Sequence, residues 1–453
     1  MIKIGNKDEK KFELKGTYFS KDLDSNIVAD MKAVTEFVSK KEAIICLGEK
    51  NKITYNGMKG IIEKIASLNT RDYQIDIKTF VGDKVNEATI ATLFAEVFGF
   101  KEAKLYNVKT KKKDKKTKEI TLFNLSDEAT KAFNEAVIVE EARTFARNLQ
   151  ITPPNVLTSE QFAKDVEKEF KNVSNVSMTI LNKKQIEAEK MGLLLSVNLG
   201  SAYEPRVVIL EYKGNPSSKD KTVMVGKGLV FDGGGYNIKT GPHMSGMKYD
   251  MSGAAIAAGS MKAIAQLKPK SNYSVVLVMT DNMINSIAST PDAVFTSMNG
   301  KTVEINNTDA EGRLALADGI TYAIRKLNAT RVMDIATLTG AVLAALGNTY
   351  VGIWTTTDKA WDDVNNSAKN VNELVWRMPF HKDYIKYMKA SAVADLKNTD
   401  LTGMGGSSTA AMFLKEFTEG VEYIHMDVAG TADIKHKPMG VMVKTLVEMS
   451  KNG

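Results

Sequence analysis

The run TVMVGKGLVF, residues 222–231, is apolar at almost every position yet carries a lysine, Lys227, at its centre. A strand with one wet face alternates apolar and polar residues, whereas a near-continuous apolar run suits a strand covered on both faces. A charge inside such a strand is expensive unless it is paired or neutralised. The bland alternative is a lysine whose head snorkels to water, although a central strand offers no obvious way out. Asp232 then stands at the strand's carboxyl end, followed by Gly233-Gly234-Gly235 and, seven residues after the aspartate, Lys239. Three glycines let backbone approach a ligand closely; a plain turn with a solvated aspartate is the competing reading.

Working outward, strand-like and helical segments alternate. VVILEYKG (207–214), SVVLVMTDN (274–282), RVMDIATLTG (331–340), YVGIWTT (350–356) and EYIHMDVAG (422–430) read as strands. SGAAIAAGSMKAIAQL (252–267), the segment after residue 312 and STAAMFLKEF (408–417) read as helices. The pattern predicts an α/β fold with a central, mostly parallel sheet covered by helices, and places the site at the strands' carboxyl ends. Upstream, DEATKAFNEAVIVEEARTFARNL (127–149) has the broad apolar stripe of one long helix, stopped by the prolines of TPPN (152–155). The expected organisation is therefore a smaller N-terminal α/β domain (1–126), a linking helix (127–153) and a larger catalytic domain (154–453). Within the first, ADMKAVTEFVSK (29–40), MKGIIEKIASL and ATIATLFAEVFGF read as helical, while EAIICLG, YQIDIKTFVG and ITLFNL read as strands.

Composition narrows the function. The 43% hydrophobic and 25% charged residues are ordinary for a globular protein. No apolar run approaches the ~20 residues that span a bilayer, and the lysine-bearing N-terminus lacks the apolar core of a secretory signal. A single cysteine, Cys46, excludes an intramolecular disulfide and any Cys₄ or Cys₂His₂ zinc site. These features lead to the expectation of a cytoplasmic protein with no membrane partner. The net charge of +7 is local, because residues 109–119 (KTKKKDKKTKE) hold seven lysines and two acids. That run, between KLYNV and ITLFNL, reads as a solvated hairpin tip, with an anion-binding patch for DNA or another polyanion as the alternative.

The candidate chemistry is acidic. In NTDAEGRL (307–314), Thr308 and Glu311 match a helix capping box. If the chain stayed extended there, Asp309, Glu311 and Arg313 would share a face, as at a metal or anion site. Asp250, before the small-residue helix, reads alone as an N-cap. Together, Asp232, Asp250, Asp309 and Glu311 form a carboxylate set in one domain, with only four histidines in the chain. Such a set suits Mg²⁺, Mn²⁺ or Zn²⁺, and paired ions bridged by carboxylates are a known hydrolytic device. There is no G-x-S-x-G, H-E-x-x-H, G-x-x-x-x-G-K-[ST] or G-x-G-x-x-G, so serine-hydrolase and nucleotide readings lack their key residues.

NTDAEGRL resembles the signature of the leucyl aminopeptidases, the M17 family of di-metal exopeptidases. TPPNVLT (152–158), VGKGLVFDGGGYNIK (225–239), DMSGAA (250–255), DIATLTGA (334–341), ALGN (345–348), VADLKN (393–398), TAAMFLKEF (409–417) and HMDVAGTA (425–432) also look like family blocks, in the family's order. The resemblance implies hydrolysis of N-terminal peptide bonds, with leucine-like residues preferred. It implies two divalent ions per subunit, Mn²⁺ or Zn²⁺ with Mg²⁺ or Co²⁺ as alternatives. Lys227, Asp232, Asp250 and Glu311 would hold one ion, and Asp232, Asp309 and Glu311 the other. Lys239 would polarise the scissile carbonyl, and Arg313 would hold a bicarbonate acting as general base. Met247, Thr337, Leu338 and Gly340 would line the site for the N-terminal residue. A homohexamer is also implied. The chain departs from the family pattern at Ser252, Tyr249, Gly235 and the 287–294 loop, which lacks two usual arginines; none is a metal or catalytic position. Two rival expectations are a binding role of the lysine-rich loop, additional or alone, and an inactive family member.

Overall fold

The computed structural model of the chain describes residues 2–68, 71–111 and 118–452. It contains two compact units, Met1–Thr144 and Phe145–Gly453, whose division falls inside one continuous helix, Asp127–Ile151.

In the first unit six strands form a sheet in the order Ile2–Ile4, Ile120–Phe123, Tyr73–Asp76, Phe12–Thr17, Glu42–Cys46, Val34–Phe37. Neighbours are parallel except the last pair. The helices Tyr55–Ser67 and Glu87–Glu102 bury Met58, Ile61, Phe94 and Phe98 in its core. Cys46 is buried at a strand end. Two expectations fail here. Residues 29–40 are no helix: Val34–Phe37, rich in β-branched and aromatic side chains, adds an antiparallel edge strand, and only Val38–Lys40 turns helically. Lys104–Val108 forms no strand, so no hairpin flanks the lysine-rich run, and residues 112–117 of that run lie outside the described residues.

The second unit is built on an eight-stranded mixed sheet. Its order is Val375–Arg377, Val351–Thr355, Glu422–Asp427, Arg331–Ala336, Thr222–Asp232, Asn272–Asn282, Arg206–Lys213, Val176–Leu181. The central four strands run parallel, and antiparallel pairings begin on either side of them. Helices Ser252–Leu267 and Gly312–Arg325 pack against these strands, which explains why Val223, Val225, Val276 and Val278 are buried and why their sequences do not alternate. No helix among the described residues is long and apolar enough to cross a membrane.

Close packing around Lys227 depends on glycine. A Cβ on Gly253 would lie 1.9 Å from the Ile335 carbonyl oxygen, and one on Gly312 would lie 2.4 Å from Lys227 Cε. Both helices therefore start directly against the strands and seal the lysine inside.

Candidate active site

The predicted residues converge at the carboxyl ends of the central strands, where an open α/β sheet binds its ligands. Lys227 does not snorkel. It is 2% exposed, and its Nζ lies 2.8 Å from Asp250 Oδ1, 3.1 Å from Glu311 Oε1 and 3.0 Å from the Thr337 carbonyl oxygen to which it donates. Lys239, on the loop after the glycines, pairs with Asp232 Oδ2 at 2.8 Å and Asp309 Oδ1 at 2.7 Å. Asp232, Asp309 and Glu311 each present an oxygen within 4.8 Å of the others.

The two bland cap readings do not hold. The helix Ser252–Leu267 has Met251 at its N-cap with no side-chain bond, and Asp250 instead accepts from Lys227 and from the Thr337 hydroxyl at 2.9 Å. The helix Gly312–Arg325 likewise begins without a side-chain cap. Thr308 donates its hydroxyl to the Gly234 carbonyl at 2.7 Å, while Glu311 faces Lys227. Nor is the signature extended: a turn closes from Asn307 O to Ala310 N, so Arg313 reaches the site from the helix's first turn.

Charge in this cluster is out of balance. Four carboxylates, Asp232, Asp250, Asp309 and Glu311, face two ammonium groups, and all but Asp309 are buried. Burial pushes Asp250 up to about 6 and Glu311 up to about 8, with the neighbouring Asp232 charge adding to both. Burial works against the charge on Lys227 and Lys239, but the surrounding carboxylates outweigh it and raise both lysines. Asp250 Oδ2 and Glu311 Oε2 are buried with no hydrogen-bond partner. Unpaired buried carboxylate oxygens are strongly disfavoured unless a cation meets them. An all-oxygen set with one neutralisable amine therefore fits hard or borderline divalent ions.

Arg313 is buried beside this cluster. One of its Nη groups donates to the Asn398 carbonyl at 2.8 Å, its Nε has no partner, and burial lowers it to about 10. Met247 opens the turn that carries Asp250; Thr337 and Leu338 follow the strand Arg331–Ala336, and Gly340 begins the helix Gly340–Leu346.

Several supporting groups escaped the sequence reading. Asn282 Nδ2 donates to Asp232 Oδ1 at 2.9 Å and to the Thr308 carbonyl at 3.0 Å, tying a metal-candidate aspartate to the signature loop. Asn398, buried, donates to Asn307 O at 2.7 Å and accepts from Asn306 N at 3.0 Å. Gln150 donates to Ser252 Oγ at 2.8 Å, and Ser252 donates to Tyr249 O at 2.5 Å, so the unusual serine braces the Asp250 turn. Gly235 has φ of 63°, a backbone region in which a side chain is strained. His425 is buried and pairs its Nδ1 with Asp334 Oδ1 at 2.7 Å across two parallel strands. Asn282 and Asn398 carry no distinctive spacing, so no sequence signal marked them, while Ser252, Tyr249 and Gly235 stood out only as departures from the family pattern.

Residues 144–447 match the model of the cytosol aminopeptidase family, catalytic domain. The chain is 49% identical over 441 residues to a probable cytosol aminopeptidase of Metamycoplasma salivarium, covering 97% of this chain and 85% of that protein. It is 47% identical over 310 residues to one of Mycoplasma genitalium, covering 68% and 69% of the two. A probable cytosol aminopeptidase of Bdellovibrio bacteriovorus is 39% identical over 427 residues, covering 90% and 85%. The family match makes the protein a metal-dependent hydrolase, and within that class the chain belongs to the cytosol aminopeptidase family. Its activity is that of a metallo-aminopeptidase acting on peptides.

Proposed function

We propose that the chain is a di-metal leucyl aminopeptidase, releasing apolar, leucine-like residues from peptide N-termini. The observation that carries this reading is the cluster of four carboxylates, three of them buried, and two lysines, in which Asp250 Oδ2 and Glu311 Oε2 are left unpartnered. Lys227, Asp232, Asp250 and Glu311 would hold one ion, and Asp232, Asp309 and Glu311 the other. Bound there, two divalent ions supply Lewis acidity, a more acidic attacking water and an anchor for the substrate's free amine.

The chain's own groups supply the rest. Lys227 can ligate only as a neutral amine, so it gives up a proton on loading. Lys239 keeps its proton and donates to the scissile carbonyl oxygen as that oxygen gains negative charge. Arg313, whose Nε is buried with no hydrogen-bond partner, would hold an anion, which the family resemblance identifies as bicarbonate and which would supply general-base chemistry. Met247, Thr337, Leu338 and Gly340 orient the substrate's N-terminal residue. The same reading carries a cytoplasmic homohexamer with Mn²⁺ or Zn²⁺ as the working ion.

Chelation followed by dialysis should abolish release of leucine from leucyl amide, and Mn²⁺ or Zn²⁺ should restore it. Activity that survives thorough removal of metal would sink the proposal. A DNA- or polyanion-binding role for residues 109–119 rests on their seven lysines. A gel shift that vanishes on deleting the loop supports it, and no salt-sensitive binding by the intact chain removes it.

A further inference from the structure

The segment Thr337–Thr339 is irregular, borders the candidate site on one side, and is held on the other by a residue given no role so far. Asp427 ends the strand Glu422–Asp427 and is 1% exposed. Its Oδ1 accepts from Leu338 N at 3.0 Å and Ala429 N at 3.2 Å, and its Oδ2 accepts from the Thr339 hydroxyl at 2.6 Å. The Thr339 oxygen in turn accepts from Val342 N at 3.1 Å and so caps the helix Gly340–Leu346. We infer that Asp427 is a positioning residue for substrate selectivity: through Thr339 and Leu338 it fixes the wall of the pocket that receives the N-terminal side chain. The inference rests on the aminopeptidase reading above.

The surrounding contacts show why this carboxylate is decisive. Thr337 is tied to the metal-candidate residues, its carbonyl accepting from Lys227 and its hydroxyl donating to Asp250. One residue further on, the anchor changes from the lysine-carboxylate cluster to Asp427. Val428 N donates to Ala336 O at 2.8 Å, and Asn348 Nδ2 donates to Gly430 O at 2.6 Å, so the same stretch after Asp427 brackets both ends of the 337–348 segment. A Cβ on Gly430 would fall 2.1 Å from the Gly347 carbonyl oxygen, leaving no slack between the two chains. The gap between the cluster and the Leu338 backbone is therefore set from the Asp427 side. Bond cleavage depends on the cluster; discrimination among side chains depends on that gap, where one methylene changes selectivity about 10- to 200-fold.

The test compares wild type with T339V, T339S and D427N, each loaded with Mn²⁺ and assayed on leucyl, methionyl, valyl and alanyl amides, with bound metal measured alongside. T339V keeps the shape of threonine but loses the hydroxyl, and D427N turns an amide toward a donor. Both should raise KM for leucyl amide and narrow the leucine-to-alanine ratio of kcat/KM by roughly tenfold, with kcat and metal content little changed. T339S should restore the preference. If D427N does not fold, T339V alone decides. A folded, metal-loaded T339V with the wild-type preference overturns the inference, as does a loss of kcat or of metal with the preference intact. Should wild type itself show no metal-dependent hydrolysis, the aminopeptidase reading falls first and this inference with it.

Discussion

Lys227 was legible because a lysine in an apolar run breaks the pattern of its own strand, and the structure shows two carboxylates waiting for it. Asp427 and Asn282 do equal work in bonding but look like any strand-end polar residue, so only the fold reveals them. The difference is one of contrast with the local sequence. The same lysine yields a prediction. Its carboxylate neighbours hold its proton more tightly than usual despite burial, and that proton must leave before the amine can ligate. Each proton released on loading makes metal affinity rise about tenfold per pH unit below the relevant ionisation. Metal titrations by calorimetry at pH 6.5, 7.5 and 8.5, in buffers of differing ionisation enthalpy, should show affinity climbing with pH, with one proton released from Lys227 and, below about pH 8, a further share from Glu311. A K227M variant should lose the lysine's share of that slope and most of the affinity of one site, keeping only the shallower dependence due to Glu311. A pH-independent affinity in wild type would contradict neutral-amine ligation.

At the scale of elements, long periodic helices and buried strands could be read directly, as with the helix Ser252–Leu267, whose bounds match the expectation. Edge elements could not. The strand Val34–Phe37 exists because an antiparallel neighbour completes it, and no local period encodes that pairing. Cap signals misled for a related reason: Thr308, Asp250 and Glu311 are used by tertiary partners in place of the helix ends. Asp318 shows a further element-level device invisible in sequence. From inside the helix Gly312–Arg325, its Oδ2 accepts from Leu193 N at 2.8 Å and Leu194 N at 3.0 Å, and its Oδ1 accepts from Met298 N at 2.8 Å. It thereby satisfies the start of the helix Gly192–Asn198. Burial raises its carboxyl to about 7, against the pull of those three donors. An unfolded aspartate ionises near 4. Between about pH 4 and 7 the folded chain thus keeps a proton that the unfolded chain has lost. The stabilisation is full below pH 4 and is lost as pH rises through 7. D318N should flatten that slope in denaturant titrations run from pH 4.5 to 7.5. It should also cost about 1–3 kcal/mol, because an amide NH₂ meets a backbone donor. An unchanged pH slope would show that Asp318 is ionised throughout.

For the whole molecule, the class of fold and the place of the candidate site followed from the alternation of buried strands with helices, since parallel sheets admit few arrangements. Where one unit ends was harder to see. Prolines at 153 and 154 mark the end of the helix Asp127–Ile151, yet that helix contributes Ala129, Phe133 and Ala136 to the first unit's core. Its last two turns serve the second unit. Arg147 Nε donates to Pro438 O at 3.0 Å, Gln150 bridges Ser252 Oγ and the Ala432 carbonyl, and Lys248 Nζ donates to Ile151 O at 2.9 Å. Lys248 and Ser252 flank Asp250, so the helix end braces one of the proposed metal ligands from both sides. We therefore place the functional boundary inside the helix, at 144/145, and treat 145–153 as part of the catalytic unit. Chains spanning 127–453 and 154–453 test this. The longer one should melt cooperatively and bind metal like the full chain. The shorter one should bind metal roughly 10- to 100-fold more weakly, as when outer groups that orient metal ligands are removed, and should melt at a lower temperature. The double substitution S252A with Q150L in the full chain should reproduce the weaker binding without truncation. Equal metal affinity in all of these chains would mean that the Asp250 turn holds its shape unaided, and that the helix is a connector only.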